Sequence, residues 1–208
     1  MSELSTDQML ALAYTPPSRR EALRALWQLD SVLGAAAFNG REPMIRRIKL
    51  AWWREALQQL DSRSPPPEPT LEAVTRHILP SGVTGSDLSE LEMGWAQISD
   101  DPAAADLGGY ASERGGQLFS LAGRLLGEEW LPLEAAGEAW ALVDLARRGV
   151  PADLSRVSGL LPNERWPKAL RPLGMLAVAA EYDAGRGIGG QFGPARFARM
   201  IRHRLTGR

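Results

Sequence analysis

The side chains that most often carry chemistry are scarce in this sequence. Its 208 residues include no cysteine and only two histidines, His77 and His203. The lack of cysteine excludes disulfides, thiolate metal sites and cysteine nucleophiles, and it fits a reducing compartment. Two histidines argue against a histidine metal site or a histidine-based catalytic triad.

A glycine-rich segment, Gly185–Gly193 (GRGIGGQFG), could cradle a phosphate group. No strand is predicted before it and no Lys-Ser pair follows it. The segment therefore fits neither a P-loop nor a dinucleotide-binding motif, and we interpret it as a flexible loop.

A cationic and aromatic segment runs from Glu42 to Leu57 with the sequence EPMIRRIKLAWWREAL. Trp52 and Trp53 could line a ligand cavity, with core packing as the alternative. Arg54 and the cations before it could bind phosphate, or could form a solvated face with Arg54 paired to a carboxylate. Because the helix is apolar on more than one side, we expect it to be central in the fold.

The elements that must position these residues are predicted to be helices. Apolar residues recur at three- and four-residue spacing between proline and glycine breaks, while period-two alternation and hairpin signals are missing. The pattern predicts an all-α protein of roughly nine helices, packed as a single-domain bundle over residues 1–208.

Charge and hydropathy limit the classes of partner that this protein is expected to bind. The formal net charge is -1, so no global field favours nucleic acid. No apolar run approaches the ~20 residues of a membrane span, and the N-terminus lacks the features of a secretory signal. We expect a cytoplasmic protein. The C-terminal sequence RFARMIRHRLTGR predicts a basic amphipathic helix that could contact a membrane peripherally or dock on the protein itself.

Several segments together resemble the squalene/phytoene synthase family. They are ALRALWQLD and REPMIRRIKLAWWREAL in the first half, YASERGGQLFSLAGRLLG at residues 110–127, GEAWALVDLARRGVPADLSRVSGLLP at residues 137–162, and the terminal RHRLTGR. The likeness is greatest to a short, divergent branch that includes a mitochondrial complex I assembly factor and alphaproteobacterial relatives. It implies a truncated isoprenoid-synthase-like fold.

The resemblance also implies two aspartate-rich motifs that face each other and bind magnesium for a prenyl diphosphate. Here the first motif falls on GAAAF (residues 34–38), which has no ligand. The second falls on RRGVPAD (residues 147–153), where only Asp153 remains. Asp30 lies one turn before the first position and could be recruited. Tyr110, Gln117 and Asp144 are candidate polar liners of the implied cavity, or core hydrogen-bonding groups.

Three functions remain open on these grounds. The first is a non-catalytic family member without a cofactor that binds a protein or an apolar, isoprenoid-type partner, for example in assembly of a respiratory complex at the inner membrane. The second is a prenyltransferase of isoprenoid biosynthesis with an altered magnesium site. The third is a carrier for an apolar ligand.

Overall fold

The computed structural model describes residues 4–40, 42–102, 105–188 and 193–208, and within them the chain is helical without strands. The all-α prediction is confirmed. The α-helices are α1 (Thr6–Ala13), α2 (Pro17–Phe38), α3 (Pro43–Gln59), α4 (Pro69–His77), α5 (Gly85–Ser89), α6 (Leu91–Gln97), α7 (Leu107–Tyr110), α8 (Gln117–Leu126), α9 (Leu133–Arg147), α10 (Val157–Leu160), α11 (Arg171–Arg186) and α12 (Pro194–Thr206).

Two long helices organise the packing. Helix α2 contacts α3, α4, α6 and α8, while α9 contacts α8, α10 and α11. A π-helical turn, Ala111–Gly116, joins α7 to α8 and packs against both α6 and α9. The core is rich in leucine, alanine and tryptophan, and Trp27 and Trp95 are fully buried within it.

The predicted central position of α3 is wrong. One side of α3 packs on the protein through a buried stripe (Leu50, Trp53, Ala56 and Leu57). Its opposite side exposes large apolar side chains: Met44, Ile45, Ile48 and Trp52. The helix is apolar on two sides, but only one of them has a partner within the described chain.

Other differences concern short elements. Helix α1 was not expected, although a capping box between Ser5 and Gln8 starts it. Residues 85–97 form two short helices, α5 and α6, instead of one continuous helix. Pro172 lies in the first turn of α11, where proline is tolerated, and does not interrupt it. Residues 189–192 of the glycine-rich segment lie outside the described residues.

Glycines allow the π turn to lie against its neighbours. A Cβ atom at Gly137 would overlap the Gly115 carbonyl, and a Cβ at Gly115 would overlap the Gly137 carbonyl. A Cβ at Gly94 in α6 would come within 2.5 Å of the Arg114 backbone nitrogen. Helices α6 and α9 therefore each contact the backbone of the π turn. A side chain larger than hydrogen at these glycine positions would prevent that contact.

Buried His203 of α12 packs against α11. Its ring packs edge-on against Trp166 at a centroid distance of 5.3 Å and sits over Gly174. Neither ring nitrogen has a hydrogen-bond partner among the described residues. Burial, with the positive charges of Arg171 and Arg199, lowers the pKa of His203 to about 4.

No described helix combines the length and the hydropathy needed to cross a bilayer.

We expect Gly137→Ala to lower the free energy of unfolding by about 1–3 kcal/mol, because the added methyl group separates α9 from the π turn. Gly185→Ala is the matched control, since a Cβ there meets nothing within 4 Å. Alanine favours the helix at that site and should raise stability by up to about 1 kcal/mol. Urea unfolding of both variants measures the difference, and equal effects would contradict the close approach.

We expect acid to destabilise the fold through His203. The unfolded histidine binds a proton near pH 6.5 and the folded one only near 4, so this contribution is complete above pH 6.5 and is lost as the pH falls towards 4. The loss reaches about 3 kcal/mol. The free energy of unfolding measured in urea should decrease as the pH falls from 7 to 4.5, and His203→Gln should make this decrease smaller. The control His77→Gln, which changes the other histidine, should show the same pH dependence as the unaltered protein.

Candidate functional site

A fully buried arginine occupies the centre of the helical bundle. Arg114 lies in the π turn and has no exposed surface. Its Nε donates to Asp30 Oδ1 at 3.0 Å and its Nη2 donates to Asp30 Oδ2 at 2.8 Å. This two-point arrangement matches the planar guanidinium to the carboxylate and is among the strongest ion-pair geometries in proteins.

A second carboxylate binds the same guanidinium from the opposite helix. Arg114 Nη1 lies 2.8 Å from Asp144 Oδ2, and Arg148 contacts that carboxylate as well at 3.0 Å. Burial by itself raises the pKa of Asp144, but the charges of Arg114 and Arg148 outweigh it and the pKa is lowered. Arg114 therefore bridges α2 and α9 through two carboxylates.

Aromatic rings enclose the guanidinium on its remaining sides. Its carbon lies 4.0 Å from the Trp95 ring centroid and 4.8 Å from that of Trp140. The Tyr110 hydroxyl accepts a hydrogen bond from Arg114 Nη1, and burial raises the pKa of Tyr110. Trp95 Nε1 donates to Asp30 Oδ1 at 2.9 Å. Desolvation lowers the pKa of a buried arginine, but the two carboxylates hold that of Arg114 above its usual value.

Local sequence explains how these groups meet. Trp95 fits because Gly34 leaves room for it: a Cβ there would lie 2.8 Å from the indole ring. Gly94 of α6 lies against the Arg114 backbone, and Gly115 directly follows Arg114 in the sequence. These two glycines let α6 and α9 pack closely on the π turn. A π turn adds one residue to a helical turn, so it rotates the residues that follow and is frequent at functional sites.

A polar cavity of about 410 Å³ opens beside this cluster. Arg114, Asp30, Asp144 and Trp140 form part of its wall, and the first residues of α1 form another part. Three aspartates and three arginines line it, so their formal charges cancel: Asp7, Asp30, Asp144, Arg114, Arg147 and Arg148.

A second buried ion-pair network includes Asp7 and Arg147 of the cavity lining. Arg196 of α12 donates to Asp7 at 2.7 Å and to Asp183 at 2.8 Å. Asp183 also accepts from Arg147, which lies 3.7 Å from Asp7. The network joins α1, α9, α11 and α12, and its two carboxylates hold the pKa of Arg196 above its usual value despite burial.

The structure brings together three of the sequence-predicted residues, Asp30, Tyr110 and Asp144, around Arg114. Gln117 lies apart from them and donates to Glu90 at 2.7 Å. Asp153 sits in an exposed loop, where hydrogen bonds from Ser155 lower its pKa.

The predicted residues of α3 do not line this cavity. Trp53 is buried in the core and Trp52 packs edge-on against it at 5.1 Å while remaining half exposed. Arg54 lies 3.5 Å from Glu92, so the expected pairing with a carboxylate is confirmed.

The implied magnesium does not fit the side chains present. Both carboxylates that face each other across the bundle are already bound by a guanidinium, which remains charged at any physiological pH. Among the described residues, no group of three or more His, Asp or Glu side chains is placed to hold a metal ion. The positions of the first implied motif include Gly34, which makes room for Trp95, and Phe38, which packs edge-on against it.

Sequence reasoning missed Arg114, Trp95 and Asp7. Arg114 carried a signal, because it is a cation on the same helical stretch as Tyr110 and Leu118, both of which are buried. A charge on a buried stripe requires a partner of opposite charge. Which aspartate supplies it depends on contacts 84 residues apart, as between Arg114 and Asp30.

Comparison with known proteins agrees with the helical architecture. The sequence profile of the family described as squalene/phytoene synthase matches residues 2–183. Neither the curated proteins nor the solved structures contain a match to the chain. Because the profile match covers most of the sequence, the chain belongs to the squalene/phytoene synthase family.

Proposed function

We propose that this protein is a catalytically silent member of the squalene/phytoene synthase family that acts by binding a partner. One observation carries the proposal: Arg114 occupies the space between Asp30 and Asp144 and neutralises both carboxylates.

Electrostatics oppose magnesium at this position. A divalent cation placed between Asp30 and Asp144 would lie beside a guanidinium that is buried and unable to lose its proton. To bind, the metal would have to expel Arg114 from two ion pairs and an aromatic enclosure. A buried arginine without partners is costly, so the metal-free arrangement is strongly preferred.

Space and charge also disfavour the diphosphate. Trp95, Tyr110 and Arg114 fill the volume around Asp30, and all three are fully buried. The adjacent cavity is polar and lined by equal numbers of acidic and basic side chains. Prenyl chains bind in mostly apolar pockets, so this lining suits such a ligand poorly.

The proposed role is therefore association, with a protein or lipid partner. The exposed apolar side of α3 is a surface that a protein partner could cover, since isolated large patches of this kind mark interaction sites. The likeness to a branch that contains a complex I assembly factor makes assistance to a respiratory membrane complex the most concrete form of this role.

A prenyltransferase with an altered metal site is the second candidate. It is favoured by the fact that carboxylates from α2 and α9, Asp30 and Asp144, do face each other beside an open cavity. This reading requires Arg114 to leave its place when substrate and metal bind.

We expect no release of diphosphate when the protein is incubated with farnesyl or geranylgeranyl diphosphate, with or without Mg²⁺. A colorimetric phosphate assay coupled to a pyrophosphatase measures this. Metal-dependent release that Asp30→Asn abolishes and Asp153→Ala leaves unchanged would favour the prenyltransferase. Asp153 is the control because its side chain is exposed and remote from Arg114.

We expect Arg114→Met to lower the free energy of unfolding by about 3–5 kcal/mol, because buried Asp30 and partly buried Asp144 lose their shared cation. Millimolar Mg²⁺ or Mn²⁺ should then raise the melting temperature of the variant and leave that of the unaltered protein unchanged. Thermal unfolding followed by circular dichroism measures both.

The matched control is Arg124→Met, which removes a partly exposed arginine that lies 3.0 Å from Asp87. It should cost at most about 1 kcal/mol and confer no response to metal. A metal-dependent rise in the unaltered protein would contradict the proposal even if Arg114→Met failed to fold.

A further inference from the structure

Helix α12 presents an apolar ridge to solvent. Phe197, Ile201 and Leu205 are spaced four residues apart, so they lie in one line along the helix. Phe197 is 53% exposed, Leu205 is 70% exposed and Ile201 is half-buried. The opposite side of α12 is the one that packs on the protein, through buried Met200 and His203.

Arginines border this ridge without acidic neighbours on the same segment. Residues 194–208 contain five arginines and no aspartate or glutamate. Arg196 and Arg199 are paired with acids from other elements. Arg202 and Arg208 are exposed and form no ion pair within the described part of the chain.

More positive charge gathers where α12 ends. Arg165 donates to the Thr206 carbonyl at 2.8 Å and Arg171 donates to the Leu205 carbonyl at 2.8 Å. These bonds satisfy carbonyls that a helix C-terminus leaves without partners. Burial and the nearby charges of Arg165 and Arg204 lower the pKa of Arg171, as expected where cations crowd together. Arg204 in turn lies over the Tyr14 ring.

We propose that the outer face of α12 docks this protein on an anionic membrane surface. The ridge of Phe197, Ile201 and Leu205 enters the boundary between headgroups and acyl chains, and the flanking arginines bind lipid phosphates. This combination of an apolar line and a cationic border is the pattern of helices that lie in the membrane interface. The anionic lipids supply the attraction, because the net charge of the chain is -1 and its overall field does not.

Other occupants fit this face less well. A second copy would place two cationic borders against each other. Nucleic acid would use the arginines but would leave the apolar ridge in water. The apolar side of α3 has a smaller excess of unpaired cations. Arg47 and Arg54 are paired with Asp100 and Glu92, Arg46 donates to backbone carbonyls, and Lys49 is the one cation of this helix that is exposed without an ion pair among the described residues. It therefore serves as the internal comparison.

Flotation of the full-length chain with vesicles tests the proposal. Vesicles of phosphatidylcholine are compared with vesicles that also contain phosphatidylglycerol, at low and high salt. We expect association with the anionic vesicles only, weakened by salt. The variants Phe197→Ser/Leu205→Ser and Arg202→Gln/Arg208→Gln should each lower the partition coefficient by about tenfold or more.

The matched control is Ile48→Ser/Trp52→Ser, which changes exposed apolar side chains on α3. It should float like the unaltered protein, and circular dichroism verifies that each variant is folded. The proposal is overturned if the unaltered protein does not float, if it binds neutral vesicles equally, or if the α3 control loses binding as the α12 variants do. The outcome is independent of catalytic silence, because an active enzyme could use the same face.

Discussion

A single buried guanidinium determines how the centre of this protein is built. Arg114 has no contact with solvent, so its charge must be balanced inside the bundle. Asp30 and Asp144 provide that balance from helices on two sides, and Trp95 and Trp140 enclose what remains. Few other residues could stand at these positions, because removing any one of the four side chains leaves an unpaired buried charge or a cavity.

The backbone is shaped to allow this arrangement. The π turn carries Arg114, and the glycines at positions 94, 115 and 137 permit α6 and α9 to approach it. Gly34 makes room for Trp95, whose indole donates to Asp30. Gly34, at the start of the segment where the family resemblance implies metal-binding acids, thus has a structural role in a packed interior that is held together by an arginine.

The same principle recurs in the ion-pair network around Asp7 and Arg147, which also line the cavity. Arg196 is buried between Asp7 and Asp183, and Arg147 joins that cluster from α9. Arg147 and Arg148, in the segment where the resemblance places the second motif, are therefore each paired with an aspartate. The apolar surfaces that stay without a partner within the described chain lie outside, on one side of α3 and on the outer face of α12.

The sequence by itself predicted the helical class, and it showed that GAAAF and RRGVPAD together carry a single aspartate. These properties are local, because they follow from spacing, proline and glycine breaks, and residue identity. Family membership followed from the same short segments. Periodicity also identified both apolar sides of α3, but it could not decide which of them packs on the protein. The sequence pattern of such a helix is the same whether both sides or only one side has a partner.

Only the tertiary structure decided which charges meet. Asp30, Tyr110 and Asp144 were selected from the sequence as separate candidates, whereas the group that joins them, Arg114, was not. Their association depends on α2, the π turn and α9 converging, and the sequence separations involved exceed any helical period. Electrostatic pairing in a bundle is set by three-dimensional proximity and burial. The pairing of Arg114 with Asp30 and Asp144 therefore becomes visible only when the helices are packed.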